Sequence, residues 1–549
     1  INLYATLIER YPDNPRNAAA LYQLSRAYES VGQRELSLQA LNRLVAQYPT
    51  SERLDEVQFR RGETLYVDQR YREAEAAYRA VIAIGNRSSF YDQALYKGGW
   101  SLFKQGRYEE ALDLYTAVLD RRVVGGEIPL AQLSQVERER VDDTLRVAAL
   151  SFSYRQGAES VSRYFTQRGA QPYEHRIYRT LGDQYLEKER YSDAAKTFQT
   201  FADQRPLHRE APGLQIKVIE AYRKGGFAGR VLEAKRHFVS RYGMDQPYWT
   251  RFRRETAPEI VAQVKLQIDE LSRYFHAQAQ QTRTRVAYNE AIRWYRKRLA
   301  YFPGEADSAT ANFLLAELLF ETQQFADAAS EYEKTAYQYP SHKRSAEAGY
   351  AALLAYAAHT GTFPETQRQV WQRHTLASSD RFTKRFPEHP EAPKVLAKLA
   401  EQWFALGNGE AASVAARRLV TRYPNSGTQL RRSAWMVIAH SAFDLQDYTH
   451  SEQAYQQVLA LTSTQTQDRA AIVDRLGASV YKQAEQLRAQ GKHDAAATAF
   501  LRVAQVAPRS SVRATADFDA AAALLAGRQW QRATVVLEGF RRQHPGHSL

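Results

Sequence analysis

At 549 residues the chain exceeds the size at which one hydrophobic core keeps growing, so several domains or a repeat array are expected. A composition of 44% hydrophobic and 25% charged residues excludes wholesale disorder, and the absence of cysteine excludes disulfides, thiolate metal sites and cysteine nucleophiles. The net charge of +14 is uneven, with 17 Lys or Arg against 7 Asp or Glu in residues 223–298, which points to an acidic partner.

No apolar run approaches the roughly 20 residues of a membrane-spanning helix. Along the chain an aromatic residue repeatedly precedes a proline, and the intervals Pro12 to Pro49, Pro303 to Pro340, Pro387 to Pro424 and Pro508 to Pro545 are each 37 residues. An internal repeat is therefore present. Between the prolines, apolar residues recur at i, i+3, i+4 and i+7, then comes a break at Gly, Asp or Gln, then a second such run. Each unit reads as a helical hairpin.

In chain order, residues 1–12 read as the second helix of an earlier unit, and units start near 18, 55 and 92. Residues 121–141 break the period and lead into a degenerate unit near 142. Units follow near 175 and 212; residues 244–271 break the period again; further units start near 272, 309 and 346. A third insertion, 357–374, stretches Pro340 to Pro387 to 47 residues, and the last units start near 393, 432, 477 and 514. The segments expected are 1–120, 121–174, 175–243, 244–308, 309–356, 357–392 and 393–549, with the insertions serving as loop decoration. Both ends lack a polar cap, as expected of a piece of a longer protein or of ends covered by another segment.

Phosphate-loop, dinucleotide, zincin and nucleophile-elbow motifs are all missing, and of the 13 histidines only His544 and His547 stand three apart, with Pro545 and Gly546 between them, so no helical metal pair is read. Adjacent carboxylates such as Glu109 with Glu110 point to different helix faces. His208, His342 and His389 fall in the loops after prolines and read as solvated. The expectation is a protein that is not an enzyme and has no cofactor.

The units starting at Asp92 and His175 place Gly99, Gly106, Tyr108, Ala111 and Tyr115, and Gly182, Tyr191, Ala194, Phe198 and Pro206, in the order of the tetratricopeptide repeat (TPR), which the chain resembles over nearly its whole length. The family's usual period is 34, and loops of the YPDNP type supply the three extra residues. The resemblance implies an all-α, right-handed TPR superhelix, an α-solenoid of about 13 hairpins. Gly99 and Ala111 then mark the closest approach within a hairpin, and Gly106 the turn. Gly98 stands where the family usually has Leu and is expected on the exposed side.

The family binds peptides on the concave face of its first helices. Carried over, those positions are Tyr22, Arg26 and Glu29; Phe59, Glu63 and Tyr66; Tyr96, Trp100 and Phe103. They form a candidate peptide groove with an aromatic stripe, in which Trp100 is the expected exposed anchor. A second candidate site, for an acidic protein, an anionic polymer or nucleic acid, interleaves aromatics with Arg251, Arg253 and Arg254 and with Arg293, Arg296 and Lys297. Its competing reading is a solvated helix face, with Tyr295 at the repeat's buried aromatic position and Arg298 where a core residue is usual. Within the superfamily, the YPDNP, YPTSE and YPNSG loops resemble the bacterial cell-envelope branch, that of the outer-membrane assembly lipoprotein BamD and the Tol-associated coordinator CpoB. That implies a periplasmic scaffold linking a TonB- or Tol-like inner-membrane motor to outer-membrane or peptidoglycan partners. A polysaccharide-export scaffold and a cytoplasmic RNA- or polyanion-binding protein are the alternatives.

Overall fold

The computed structural model describes residues 1–360, 365–463 and 467–549. Among these it contains 28 α-helices and no strand. One isolated bridge, Val124 to Glu127, closes a tight turn over Gly125 and Gly126, both at positive φ. After the lone helix Asn2–Arg10, and apart from the short helix Tyr248–Arg251, the helices pair into thirteen hairpins. The chain forms two compact units, Ile1–Tyr274 and Phe275–Leu549.

The second helix of a repeat ends at the residue before its proline. Tyr11, Tyr48, Arg205 and Tyr423 all close helices at φ near −125° and ψ near 60°, because the proline ring disfavours the helical region for its predecessor. Two turns in succession follow. After Pro12, the Asn14 N–H donates to the Tyr11 carbonyl (3.1 Å) and the Asn17 N–H to the Asn14 carbonyl (2.9 Å). After Pro206, His208 donates to Arg205 (2.9 Å) and Ala211 to His208 (3.0 Å); after Pro387, His389 donates to Phe386 (3.1 Å) and Ala392 to His389 (2.9 Å). These double turns hold the residues that lengthen the period.

The residue two after the proline also accepts a bond on its side chain. Asn14 Oδ1 takes the Arg16 N–H (2.9 Å), and Nδ1 of His208, His342 and His389 takes the N–H two residues on (3.1, 3.1 and 3.2 Å). The three histidines are therefore half-buried turn formers, not solvated loop residues, because their acceptor nitrogen satisfies a backbone donor inside the loop.

Within a hairpin the first helix ends on a left-handed residue. Gly106 has φ +75°, its N–H reaching the Phe103 carbonyl (2.9 Å) while the next N–H reaches Leu102 (3.0 Å), the double closure that satisfies a helix's last carbonyls. Gln69, Glu189, Gln323, Gln446 and Arg528 hold the same conformation without being glycine.

The two helices of a hairpin meet where a ring lies on a glycine. A Cβ at Gly62 would come within 2.6 Å of Tyr78, one at Gly99 within 2.5 Å of Tyr115, and one at Gly182 within 2.2 Å of Phe198. The partner of Gly99 is thus the Tyr115 ring, not Ala111, and even a methyl is too large. Gly98 is also buried, against Leu114 of its own hairpin and Tyr78 and Ile82 of the preceding one. This corrects its expected exposure: the neighbouring unit covers that side.

Cores form between neighbours. One cluster joins Leu38 of one hairpin, Leu65, Ala74, Ala77, Tyr78 and Val81 of the next, and Ala94 of the third. A hairpin alone leaves half of that surface in water, so stability is shared along the array.

The irregular segments become helix more than loop. Within 121–141 the helix Gln135–Ser153 starts with a reciprocal capping box between Ser134 and Glu137. Residues 244–271 form the short helix Tyr248–Arg251, a turn at Arg254–Thr256 and the first half of the helix Pro258–Thr282. In the third insertion, 361–364 lie outside the described residues, and the helix Glu365–Arg385 takes up much of the remainder.

Gly99→Ala is expected to destabilise far more than Gly98→Ala. At Gly99 the new methyl meets an aromatic ring fixed in the core, and overpacking costs about 1–3 kcal/mol. At Gly98 it meets the movable end of Leu114 at 3.1 Å, and the roughly 1 kcal/mol gained in helix propensity offsets the contact. Thermal melts of the two variants check this, and equal melting temperatures contradict the ring-on-glycine account.

Candidate functional site

The first-helix positions of the N-terminal repeats split into packed and open residues. Tyr22 is 3% exposed; its hydroxyl donates to Glu56 of the next hairpin, and Arg53 lies over its ring at 5.4 Å. It belongs to the core, not to an open groove, because the neighbouring repeat covers it. Phe59 stacks on Phe90 (5.1 Å) and tilts onto Tyr78 (5.8 Å), so it too is packed between repeats. Tyr66 meets Tyr71 edge-on at 5.4 Å under the Lys97 ammonium, and the Tyr96 hydroxyl donates to Asp143.

Charges link these helices from repeat to repeat. Arg60 bridges Glu29 (3.5 Å) and Glu56 (3.1 Å), and Lys97 reaches Glu63 (3.0 Å), which also accepts the Tyr78 hydroxyl. Burial acts to raise the Glu56 carboxyl, but the bonds from Tyr22 and Arg60 outweigh it and hold the group below its usual range.

The open part of the face centres on Trp100. Its ring is half-buried, edge-on to Phe103 at 5.4 Å and beneath the Arg146 guanidinium at 5.9 Å. Phe103 contacts Tyr108 and Tyr154 edge-on, and Tyr154 stacks on Tyr108 at 5.4 Å while remaining 60% exposed. Tyr154 escapes the sequence reading because it follows the last groove position of a degenerate unit; the one available signal was an aromatic just before the turn. The result is a rigid aromatic ledge with a cationic edge at Arg146.

The basic segment divides between the units. In the first, Arg251 is exposed near the Phe252 ring (5.8 Å), Arg253 is exposed, and Arg254 donates to the Met244 carbonyl (3.0 Å). In the second, Arg293 pairs with Glu290 (3.3 Å), Arg296 pairs with Asp327 (2.9 Å), and Lys297 donates to the Tyr301 hydroxyl (2.7 Å). Arg298 is 1% exposed and ties its helix end to the Phe302 carbonyl and Ser308 hydroxyl, both at 3.0 Å, and to Asp307. It fills a core position by satisfying loop acceptors. No cluster of three or more metal-ligating side chains occurs among the described residues, and no described helix is long and apolar enough to cross a membrane.

Tetratricopeptide-repeat family models match residues 59–123, 96–135 and 287–343, 19–51 and 478–510, and 433–465. No curated protein matches the chain. Similar solved structures include the TPR domain of P58(IPK), at 13% identity over 86% of this chain and 99% of that one with a TM-score of 0.20. Another is the APC/C hetero-tetramer Cut9-Hcn1, at 13% identity over 98% and 96% with a TM-score of 0.18. The C-terminal part of a TPR protein from Cytophaga hutchinsonii is 15% identical over 53% of this chain and 98% of its own, with a TM-score of 0.23.

Beside the loop at Pro206, burial first, then the neighbouring His208 and Arg176, push the His175 imidazole down to about 4. The folded value lies below the ordinary 6.5, so His175 is neutral when folded and takes up a proton on unfolding below pH 6.5. Its contribution to stability is therefore complete above pH 6.5 and is lost as the pH falls towards 4. Between pH 7 and pH 5 the unfolding free energy from urea titrations should fall less for His175→Gln than for the unsubstituted chain, by up to about 1.4 kcal/mol per pH unit. An unchanged difference contradicts the assignment.

Proposed function

Because tetratricopeptide-repeat models match several stretches of the chain, we propose that it is a non-catalytic protein-interaction scaffold of the bacterial cell envelope, acting in the periplasm. It would join a TonB- or Tol-type inner-membrane motor to outer-membrane or peptidoglycan partners. The observation that carries the scaffold role is the aromatic ledge of Trp100, Phe103 and Tyr154. Large rings held by edge contacts and left partly in water present contact area with little side-chain freedom to lose, which suits them as anchors for a partner segment. The envelope assignment is supported by the 37-residue period and its aromatic-Pro loops.

The polysaccharide-export and RNA-binding alternatives need an array of open cations. Arg254, Arg293, Arg296 and Lys297 are instead engaged with a carbonyl, two carboxylates and a phenol, which favours the protein partner.

The test uses the full-length gene product in its own cells. It should fractionate with the periplasm or envelope, and photo-crosslinks placed at Trp100 or Tyr154 should reach an envelope protein. Trp100→Ala with Tyr154→Ala should reduce recovery of that complex at least tenfold at an unchanged melting temperature. Cytoplasmic recovery overturns the envelope assignment, and full recovery of the complex by the double variant overturns the ledge.

A further inference from the structure

In the first unit several basic side chains close ion pairs between repeats, as Arg60 does with Glu29, Lys97 with Glu63, Lys217 with Asp183 and Arg241 with Asp203. Arg209 and Arg251 do not. Both are exposed, and neither makes an ion pair with a described residue. They come together at a cavity of about 500 Å³ between the loop after the helix Tyr191–Gln204 and the end of the short helix Tyr248–Arg251. Arg205 and His208 also line it, as do the apolar side chains of Leu207 and Phe252.

The cationic side of this cup is poorly neutralised. Arg205 reaches Glu174 (3.4 Å), a carboxylate 4% exposed, and the nearby Glu210 is taken by Arg179 (2.7 Å). The apolar side is rigid, since Phe252 lies 4.7 Å from the Tyr248 ring, which is itself buried. One face of Phe252 is covered by Tyr248, and the Arg251 guanidinium stands 5.8 Å from its centroid. That leaves no open platform on which a nucleic-acid base could stack, the main device of single-strand binding. A lone phosphate would fill little of the volume and leave Leu207 wet.

An extended peptide fits both sides. Side chains at i and i+2 point the same way about 6–7 Å apart while the residue between them points oppositely. A carboxylate can thus meet the guanidiniums while an adjacent aliphatic side chain covers Leu207 beside Phe252.

We propose that this cup, formed by Arg205, Arg209, Arg251, His208, Leu207 and Phe252, is a second docking site that takes an acidic segment of a protein partner carrying an apolar residue between carboxylates. It lies at the loops between repeats, apart from the first-helix positions of the aromatic ledge. The proposal deepens the scaffold reading and rests on it.

His208 supplies an internal reporter. Its Nδ1 accepts the Glu210 N–H. Burial, with Arg251 and Arg205, holds the imidazole below its ordinary range against the opposing pull of Glu210, and the tilted His175 ring lies nearby at 5.1 Å. A carboxylate bound between the arginines reduces their repulsion and so raises the His208 value.

The experiment measures fluorescence anisotropy of three end-capped 12-mers with the 549-residue chain: an alternating Asp-Leu peptide, its Asn-Leu counterpart and single-stranded RNA. The acidic peptide should bind, the Asn peptide should not, and the affinity should fall at least tenfold in Arg209→Ala with Arg251→Ala. Arg253→Ala, outside the cavity, should stay within twofold. Nuclear magnetic resonance of the His208 ring, assigned through His208→Gln, should show its pKa rising on addition of the peptide. Equal binding by the double variant, tighter binding of RNA, or no binding of the acidic peptide overturns the proposal. Trp100→Ala with Tyr154→Ala should leave the peptide affinity unchanged, so failure of the ledge and failure of the cup are read separately.

Discussion

Contact between an aromatic ring and a position without a Cβ sets the distance between the helices of a hairpin. At Gly62, Gly99 and Gly182 the ring of Tyr78, Tyr115 or Phe198 occupies the space a methyl would need. Glycine inside a helix costs about 1 kcal/mol, and the buried ring more than offsets it through its apolar area. With the hairpin spacing set, the outer faces of each helix pair become the surface on which the next pair packs, as where Leu38, Tyr78 and Ala94 share one cluster across three hairpins.

Propagation then depends on the connection between hairpins. Proline stops the second helix one residue early, and two linked turns carry the chain to the next first helix, with Asn14 or His208 satisfying a donor inside the loop. Charged pairs such as Lys97 with Glu63 span the same junctions. Exposed pairs of this kind contribute at most about 1 kcal/mol each, so their weight lies in selecting the register of neighbouring repeats, while the apolar clusters supply the stability.

A solenoid of this construction leaves two kinds of surface without an internal use. One is the ledge at Trp100 and Tyr154, where an irregular repeat presents rings that the next unit does not cover. The other is the loop cup, where the irregular segment after the helix Ala228–Tyr242 brings Arg251 to the cavity that Arg209 lines, neither of the two in an ion pair with a described residue. Both occur where the period breaks.

The all-helical hairpin array was determined by local pattern, because helix periodicity, proline stops and turn residues act within a few positions of themselves. Units expected at 18, 55, 92, 175, 212, 309, 346, 393 and 514 begin within one residue of the helices Asn17–Ser30, Leu54–Val67, Tyr91–Lys104, Glu174–Glu187, Ala211–Lys224, Ser308–Glu321, Ser345–Thr360, Ala392–Ala405 and Arg513–Ala526. What only the tertiary structure decided is which side chains on a known face remain open. Tyr22 and Trp100 occupy neighbouring positions of the same groove pattern, yet Arg53 and Glu56 of the next repeat close over Tyr22, while Trp100 stays half-exposed. Gly98 is buried by residues 16 and 20 positions before it. Arg251 shares its cavity with Arg205 and Arg209 rather than with its sequence neighbours Arg253 and Arg254. Exposure depends on what the adjacent repeat places against a residue, and that contact lies about 16 to 50 residues away along the chain, beyond the reach of any local pattern.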